Sequence, residues 1–126
     1  MTDEEECGSA VSEASRETYR GWNIPTATTL KKYGGTVEDW VAVIDRQDGV
    51  CPVCTTVPKT GRGVIDHEHV RGWKDMAPEI RWLYVRGVTC WWCNSTHLGR
   101  GITAEKARNT AVYLEDYLLR RPTWGR

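Results

Sequence analysis

Two cysteine pairs of identical spacing, Cys51-Pro52-Val53-Cys54 and Cys90-Trp91-Trp92-Cys93, stand 35 residues apart in a chain of 126 residues. Two residues between thiolates let one tight turn aim both sulfurs at a single ion. Two such turns complete a tetrahedral S4 site with no open position, so the expected ion is structural zinc rather than catalytic zinc. Iron accepts the same four thiolates, but nothing else in the sequence argues for electron transfer. A chain this short has room for one domain with a modest core, the size class that most depends on a metal staple. The zinc ties residues near 50 to residues near 90, and whatever chemistry the chain performs is expected inside the loop so closed.

Location bears on the cysteine reading. Met1 to Glu6 is acidic with no apolar core behind it, so no secretory signal is visible, and no apolar run approaches the roughly 18 residues that span a bilayer. A cytoplasmic location is expected, with no membrane partner, and there thiols stay reduced and cysteine pairs serve metals more often than disulfides. Cys7, the fifth cysteine, stands alone in the acidic segment and reads as a free thiol.

The formal net charge of zero conceals a division. Residues 1–17 hold six acids against Arg16 alone, which leaves sixteen bases and eleven acids for residues 18–126. A mildly basic body suits phosphate contact, although many proteins without a nucleic-acid partner share this balance. Residues 1–20 are poor in large aliphatics and are expected to form a flexible acidic tail, with residues 21–126 forming the folded domain.

Within that domain the signals are those of an α+β fold. Thr36 is placed to cap a short helix, with Glu38 and Asp39 in its first turn, Trp40, Val41 and Ile44 on one face, and an end near Gly49. Gly61 and Gly63 lead into a strand at Val64-Ile65-Asp66, and Tyr84 to Thr89 reads as a second strand. Between them, Pro78 to Tyr84 allows a single helical turn. Thr103 caps a terminal helix in which Ala104, Ala107, Ala111, Leu114 and Leu118 form an apolar stripe, expected to pack on the chain's own core. Val112, Tyr113 and Tyr117 then make a second, partly apolar face suited to pairing between chains, so monomer and homodimer both stay open.

The chemistry-bearing run is Asp66-His67-Glu68-His69. On an extended strand His67 and His69 share one face and Asp66 and Glu68 the other. Asp66 offers a hard carboxylate oxygen suited to Mg2+ or a similar ion, and a neutral imidazole at His67 can take a proton from water. All three histidines of the chain are His67, His69 and His97, the last coming four residues after Cys93.

The order C-x2-C, Asp-His-x-His, Val85-Arg86-Gly87-Val88, then C-x2-C followed at once by Asn94 and later by Leu98-Gly99, resembles the phage recombination endonuclease VII family of HNH (His-Me finger, ββα-metal) nucleases. The resemblance covers about residues 36–120. It implies a small zinc-stapled ββα-metal domain with one helix before it and a terminal helix after it. It implies Asp66 and Asn94 as ligands of a catalytic Mg2+ or Mn2+, His67 as general base, and His69 and His97 as orienting, phosphate-contacting or auxiliary ligand groups. Two features depart from the family pattern. The stretch from Val70 to Tyr84 is long and carries Arg71, Trp73, Lys74, Arg81 and Trp82, and the chain stops soon after one terminal helix.

The function so implied is a metal-dependent DNA endonuclease leaving 5′-phosphate and 3′-hydroxyl ends. The rival is a zinc-stapled DNA-binding or packaging accessory module without cleavage. Either way DNA is the expected partner, with a phage terminase or another packaging protein as a further candidate, acting in the host cytoplasm if the chain is phage-encoded.

Overall fold

The computed structural model describes residues 17–96 and 103–122. Its first element is a hairpin, β1 (Thr18–Tyr19) and β2 (Trp22–Asn23), turned by Arg20 and Gly21, both at positive φ. Two consecutive residues at positive φ make the tight turn whose twist matches that of the strands it joins. The hairpin delivers Trp22, which is fully buried and donates its indole N–H to the Gly49 carbonyl at 2.8 Å. Folded structure therefore already covers Thr18 and Tyr19, which the sequence reading had placed in the acidic tail.

Helix α1 (Ala27–Tyr33) begins at the Thr26 cap and ends on Gly34 at φ 82°. A Cβ at Gly34 would stand 2.0 Å from the Pro78 carbonyl oxygen, so only glycine permits this approach. Helix α2 (Val37–Arg46) starts as its sequence demands. The Thr36 hydroxyl accepts from the Asp39 amide while the Asp39 carboxylate accepts from the Thr36 amide, a reciprocal capping box. Its inward face places Trp40, Val43 and Ile44 in the core.

Strands β3 (Gly63–His67) and β4 (Val85–Cys90) form an antiparallel pair, and α4 (Trp91–Thr96) runs on directly from β4 and contacts both. This is the ββα unit. The link between the strands carries a 3-10 turn (Trp73–Asp75) and helix α3 (Pro78–Trp82). Cα partners run from Gly63↔Cys90 to Asp66↔Gly87 and then jump to His67↔Val85, which leaves Arg86 unopposed as a bulge. In a chain without phenylalanine the core is built on Trp22, Trp40, Ile44, Val53, Ile65 and Val88, closed on one side by Cys51, Cys90 and Cys93.

The last helix, α5 (Ala104–Arg120), starts at the predicted Thr103 cap but turns a different face inward. Thr110 and Tyr117 are its buried residues, whereas Ala104, Ala107, Ala111 and Leu118 are exposed and Leu114 is half-buried. The stripe expected to pack on the core therefore faces outward, and Tyr113 and Tyr117, assigned to an inter-chain face, pack on the chain itself. Polar bonding overrides the apolar count. Asn109 donates to the Val53 carbonyl at 2.9 Å, and the Tyr113 and Tyr117 hydroxyls reach carboxylates on and just after β3. Among the described residues no helix is long and apolar enough to cross a membrane.

Candidate active site

Both C-x2-C pairs close on one point. The Sγ atoms of Cys51, Cys54, Cys90 and Cys93 all lie within 4.8 Å of one another, with Cys54 and Cys90 at 3.9 Å. Sulfurs bound about 2.3 Å from a central zinc stand about 3.8 Å apart, so the spacing fits a tetrahedral ion. Thr55, at φ 62°, tightens the first knuckle, where its amide donates to the Cys51 carbonyl at 2.7 Å. In the second knuckle the Cys93 amide points at the Cys90 sulfur at 3.4 Å. Four cysteine sulfurs with no carboxylate or imidazole among them could hold a structural zinc in a closed site.

The cysteine cluster adjoins the far end of β3, because Gly63 pairs with Cys90. From there side chains alternate. On one face Asp66 and Glu68 meet α5: the Tyr113 hydroxyl donates to Asp66 at 2.6 Å and the Tyr117 hydroxyl to Glu68 at 2.8 Å. Arg121 adds an ion pair to Glu68. Two residues of strand advance about 6.7 Å and four residues of helix about 6 Å, so tyrosines at i and i+4 match carboxylates at i and i+2. Gly87 makes the closeness possible, since a Cβ there would lie 2.8 Å from the Tyr113 ring.

The bulge turns Arg86 onto Asp66. Its Nε donates to Oδ2 at 2.9 Å and its Nη2 to Oδ1 at 3.1 Å, a bidentate pair. Asp66 is 9% exposed, and with the Tyr113 bond three of roughly four acceptor sites on its carboxylate are occupied, the remaining one on Oδ1. Arg86 is thus the salt-bridge partner of Asp66. Burial, reinforced by the charge of Asp66, pushes the Tyr113 hydroxyl well above its ordinary pKa and keeps it a donor. Tyr113→Phe removes a hydrogen bond to a charged acceptor and is expected to destabilise the fold by about 1.5–3 kcal/mol. A shift of the urea midpoint measures it, and an unchanged midpoint would show that the bond adds nothing.

The opposite face carries the imidazoles. His67 lies between two stacked neighbours, the His69 ring at 4.7 Å and the Trp73 ring at 4.2 Å, with Tyr33 edge-on at 5.4 Å. Burial and the neighbouring His69 pull the His67 pKa below that of a free histidine, only partly opposed by Asp66. The ring is therefore neutral at pH 7, the state a proton acceptor needs. His67, His69 and the 3-10 turn line an open concavity of about 380 Å³. Trp73 holds its own place by donating its indole N–H to the Arg81 carbonyl at 3.2 Å.

Of the predicted residues, the structure joins the four cysteines and sets Asp66 and His67 on adjacent positions facing opposite ways. His69 stacks on His67. Asn94 is half-buried on α4, and its side chain makes no hydrogen bond to Asp66 or His67. His97 lies outside the described residues, as do Leu98-Gly99 and Cys7. Sequence reasoning missed Tyr113 and Tyr33. The first was detectable, because the pairs 113/117 and 66/68 have matching rises; the second belongs to a helix that gave no strong apolar period. Within the 70–84 link, Arg81 is spent internally, donating to the carbonyls of Lys31, Lys32 and Met76.

A model of the recombination endonuclease VII family matches residues 26–118. No curated protein and no solved structure gives a significant match. The matched span holds both cysteine pairs, the Asp66–His69 run, Asn94 and most of α5.

Proposed function

Since the chain belongs to the recombination endonuclease VII family, a family of nucleases acting on DNA, we propose that it cleaves phosphodiester bonds with His67 as general base. The carrying observation is the half-buried His67 ring, held between His69 and Trp73 at the wall of an open concavity, where burial draws its pKa below that of a free histidine. A neutral imidazole fixed by stacking takes a proton from water without first rearranging. His69, exposed and stacked on His67, is placed to contact phosphate or to orient the ring. The products are 5′-phosphate and 3′-hydroxyl ends.

The donor set suits a hard divalent cation: a carboxylate at Asp66 with one open acceptor site on Oδ1, and an amide oxygen at Asn94. Those two residues would hold Mg2+ or Mn2+, and when bound it would stabilise charge developing on the phosphoryl oxygens and the leaving 3′ oxygen. His97 remains a candidate auxiliary ligand. The bonds from Arg86 and Tyr113 fix the Asp66 carboxylate in one rotamer, which supports a ligand role provided Oδ1 stays accessible.

One observation favours the second reading, a non-cleaving zinc-stapled module. Asp66 is already neutralised by Arg86, as a purely structural carboxylate would be. Relaxation of supercoiled plasmid by the zinc-loaded chain with Mg2+, with Mn2+ and with neither added separates the two. Cation-dependent nicking supports the nuclease, while DNA binding with no nicking under any cation supports the module. A packaging protein as partner and action in the host cytoplasm belong to the same proposal. Val112, Leu118 and Leu119 are 64%, 53% and 87% exposed, so a homodimer would use this outward face of α5 rather than the tyrosine face. Sedimentation decides between monomer and dimer.

A further inference from the structure

Among the described residues no strand lies beside the outer edge of β4, and side chains satisfy its carbonyls instead. At Val88 one amide suffices: Gln47 donates to the carbonyl at 2.6 Å and accepts from the amide at 3.0 Å. Two residues earlier, at Arg86, the carbonyl draws two guanidinium groups, Arg46 at 3.2 Å and Arg120 at 3.3 Å. Two cations on one carbonyl repel each other, and one is enough to satisfy the edge. The Arg86 side chain is itself a third guanidinium in this wall, turned to Asp66.

The acids present do not balance the group. Asp66 takes Arg86 and Asp116 takes Arg120 at 3.2 Å, whereas no carboxylate among the described residues lies within salt-bridge distance of Arg46. Of its five N–H donors Arg46 spends one on a partner among the described residues. Burial and the charge of Arg120 draw the Arg46 guanidinium below its usual pKa, opposed only in part by the more distant charge of Asp116 and by Tyr113. The arginines open on a concavity of about 240 Å³ lined also by Asn109, Tyr113 and Asp116.

We propose that Arg46 and Arg120 form a seat for one backbone phosphate of bound DNA, beside the Asp66–Arg86 pair and apart from the His67 face. A phosphodiester supplies the charge that the cluster lacks and accepts the parallel N–H donors that Arg46 leaves unspent. The inference rests on DNA as substrate. The seat fixes where the strand crosses β4 and carries no base specificity.

Binding of a labelled duplex to the full zinc-loaded chain, measured by anisotropy over a salt series with no Mg2+ or Mn2+ added, tests it. Arg46→Gln and Arg120→Gln are each expected to weaken binding several-fold and to flatten the plot of log affinity against log salt by about one contact, whereas Arg108→Gln on the exposed side of α5 leaves the slope unchanged. Arg46→Lys should restore the slope but only part of the affinity, since it keeps charge and loses the fork. Zinc content and melting temperature report folding for each variant. Slopes equal to wild type in both glutamine variants overturn the seat, as does a loss of slope no larger than that of Arg108→Gln. Inorganic phosphate titrated at constant ionic strength distinguishes the source. Arginine-dependent binding of phosphate alone, with DNA slopes unaltered, overturns the DNA assignment in favour of a free anion. A wild-type chain that binds no duplex sinks the DNA reading itself, a result separate from failure of the seat.

Discussion

Replacing Cys90 by serine is expected to abolish the cooperative unfolding transition and to leave less than one zinc per chain. Cys90 is fully buried, pairs with Gly63 in the β3–β4 ladder, ends β4 where α4 begins, and accepts from the Cys93 amide. Its loss therefore opens the knuckle and the joint of the ββα unit together. The magnitude follows from two scales. Structural zinc contributes on the order of 10–16 kcal/mol in small zinc-dependent folds, and a domain of this size is stable by about 5–15 kcal/mol in total. A site reduced to three thiolates forfeits enough of the first to exhaust the second. The measurements are zinc per chain by mass spectrometry and thermal unfolding by circular dichroism, for the variant and for wild type stripped by a chelator. A cooperative wild-type transition that survives complete zinc removal would show that the apolar core around Trp22, Trp40 and Ile44 holds the fold without metal.

What the sequence made legible was whatever short-range chemistry decides. The Thr36 and Thr103 caps, the cysteine knuckles and the two strands bounded by glycine or metal each depend on neighbours within a few residues, and the structure places them where those neighbours require. The hairpin at Thr18–Asn23 was missed because its two-residue strands are too short for a period, and the chemistry of the Arg20-Gly21 turn was the one available sign. The inward face of α5 was misread for a different reason. Counting alanines and leucines assumes that the helix meets an apolar wall, but it meets Asp66 on β3 and Glu68 just beyond the strand, against which tyrosine hydroxyls bond and leucine cannot. The same blindness applied to the site. Adjacent positions on a strand announce that Asp66 and His67 face opposite ways, yet not that one will be clasped by Arg86 and Tyr113 and the other stacked on Trp73, because those partners lie 20, 47 and 6 residues away in sequence.

His67→Ala is expected to lower the rate of plasmid cleavage by about 10²- to 10⁴-fold, the usual cost of removing a general base, while zinc content and DNA affinity stay close to wild type. The separation is possible because His67 is remote in chemistry from both anchors: it is not among the four sulfur ligands, and it faces away from the carboxylate clasped by α5. Its stacking on Trp73 and His69 does mean that alanine leaves a gap, so His67→Asn, which keeps a flat polar side chain but no comparable basicity, should accompany it. Both variants must lose cleavage for the assignment to stand. Asp66 requires a different substitution. Asp66→Ala would strand the Arg86 guanidinium without its partner, a loss on the order of 3–5 kcal/mol for a buried pair, and a dead enzyme would then report only unfolding. Asp66→Asn keeps the shape and one acceptor, and it should raise the concentration of Mg2+ or Mn2+ needed for half-maximal cleavage. His67→Ala should leave that concentration unchanged. Should either His67 variant nick plasmid at the wild-type rate, with contaminating nuclease excluded by a parallel purification, the base lies elsewhere, and the stacked His67 serves only to carry the Trp73 turn.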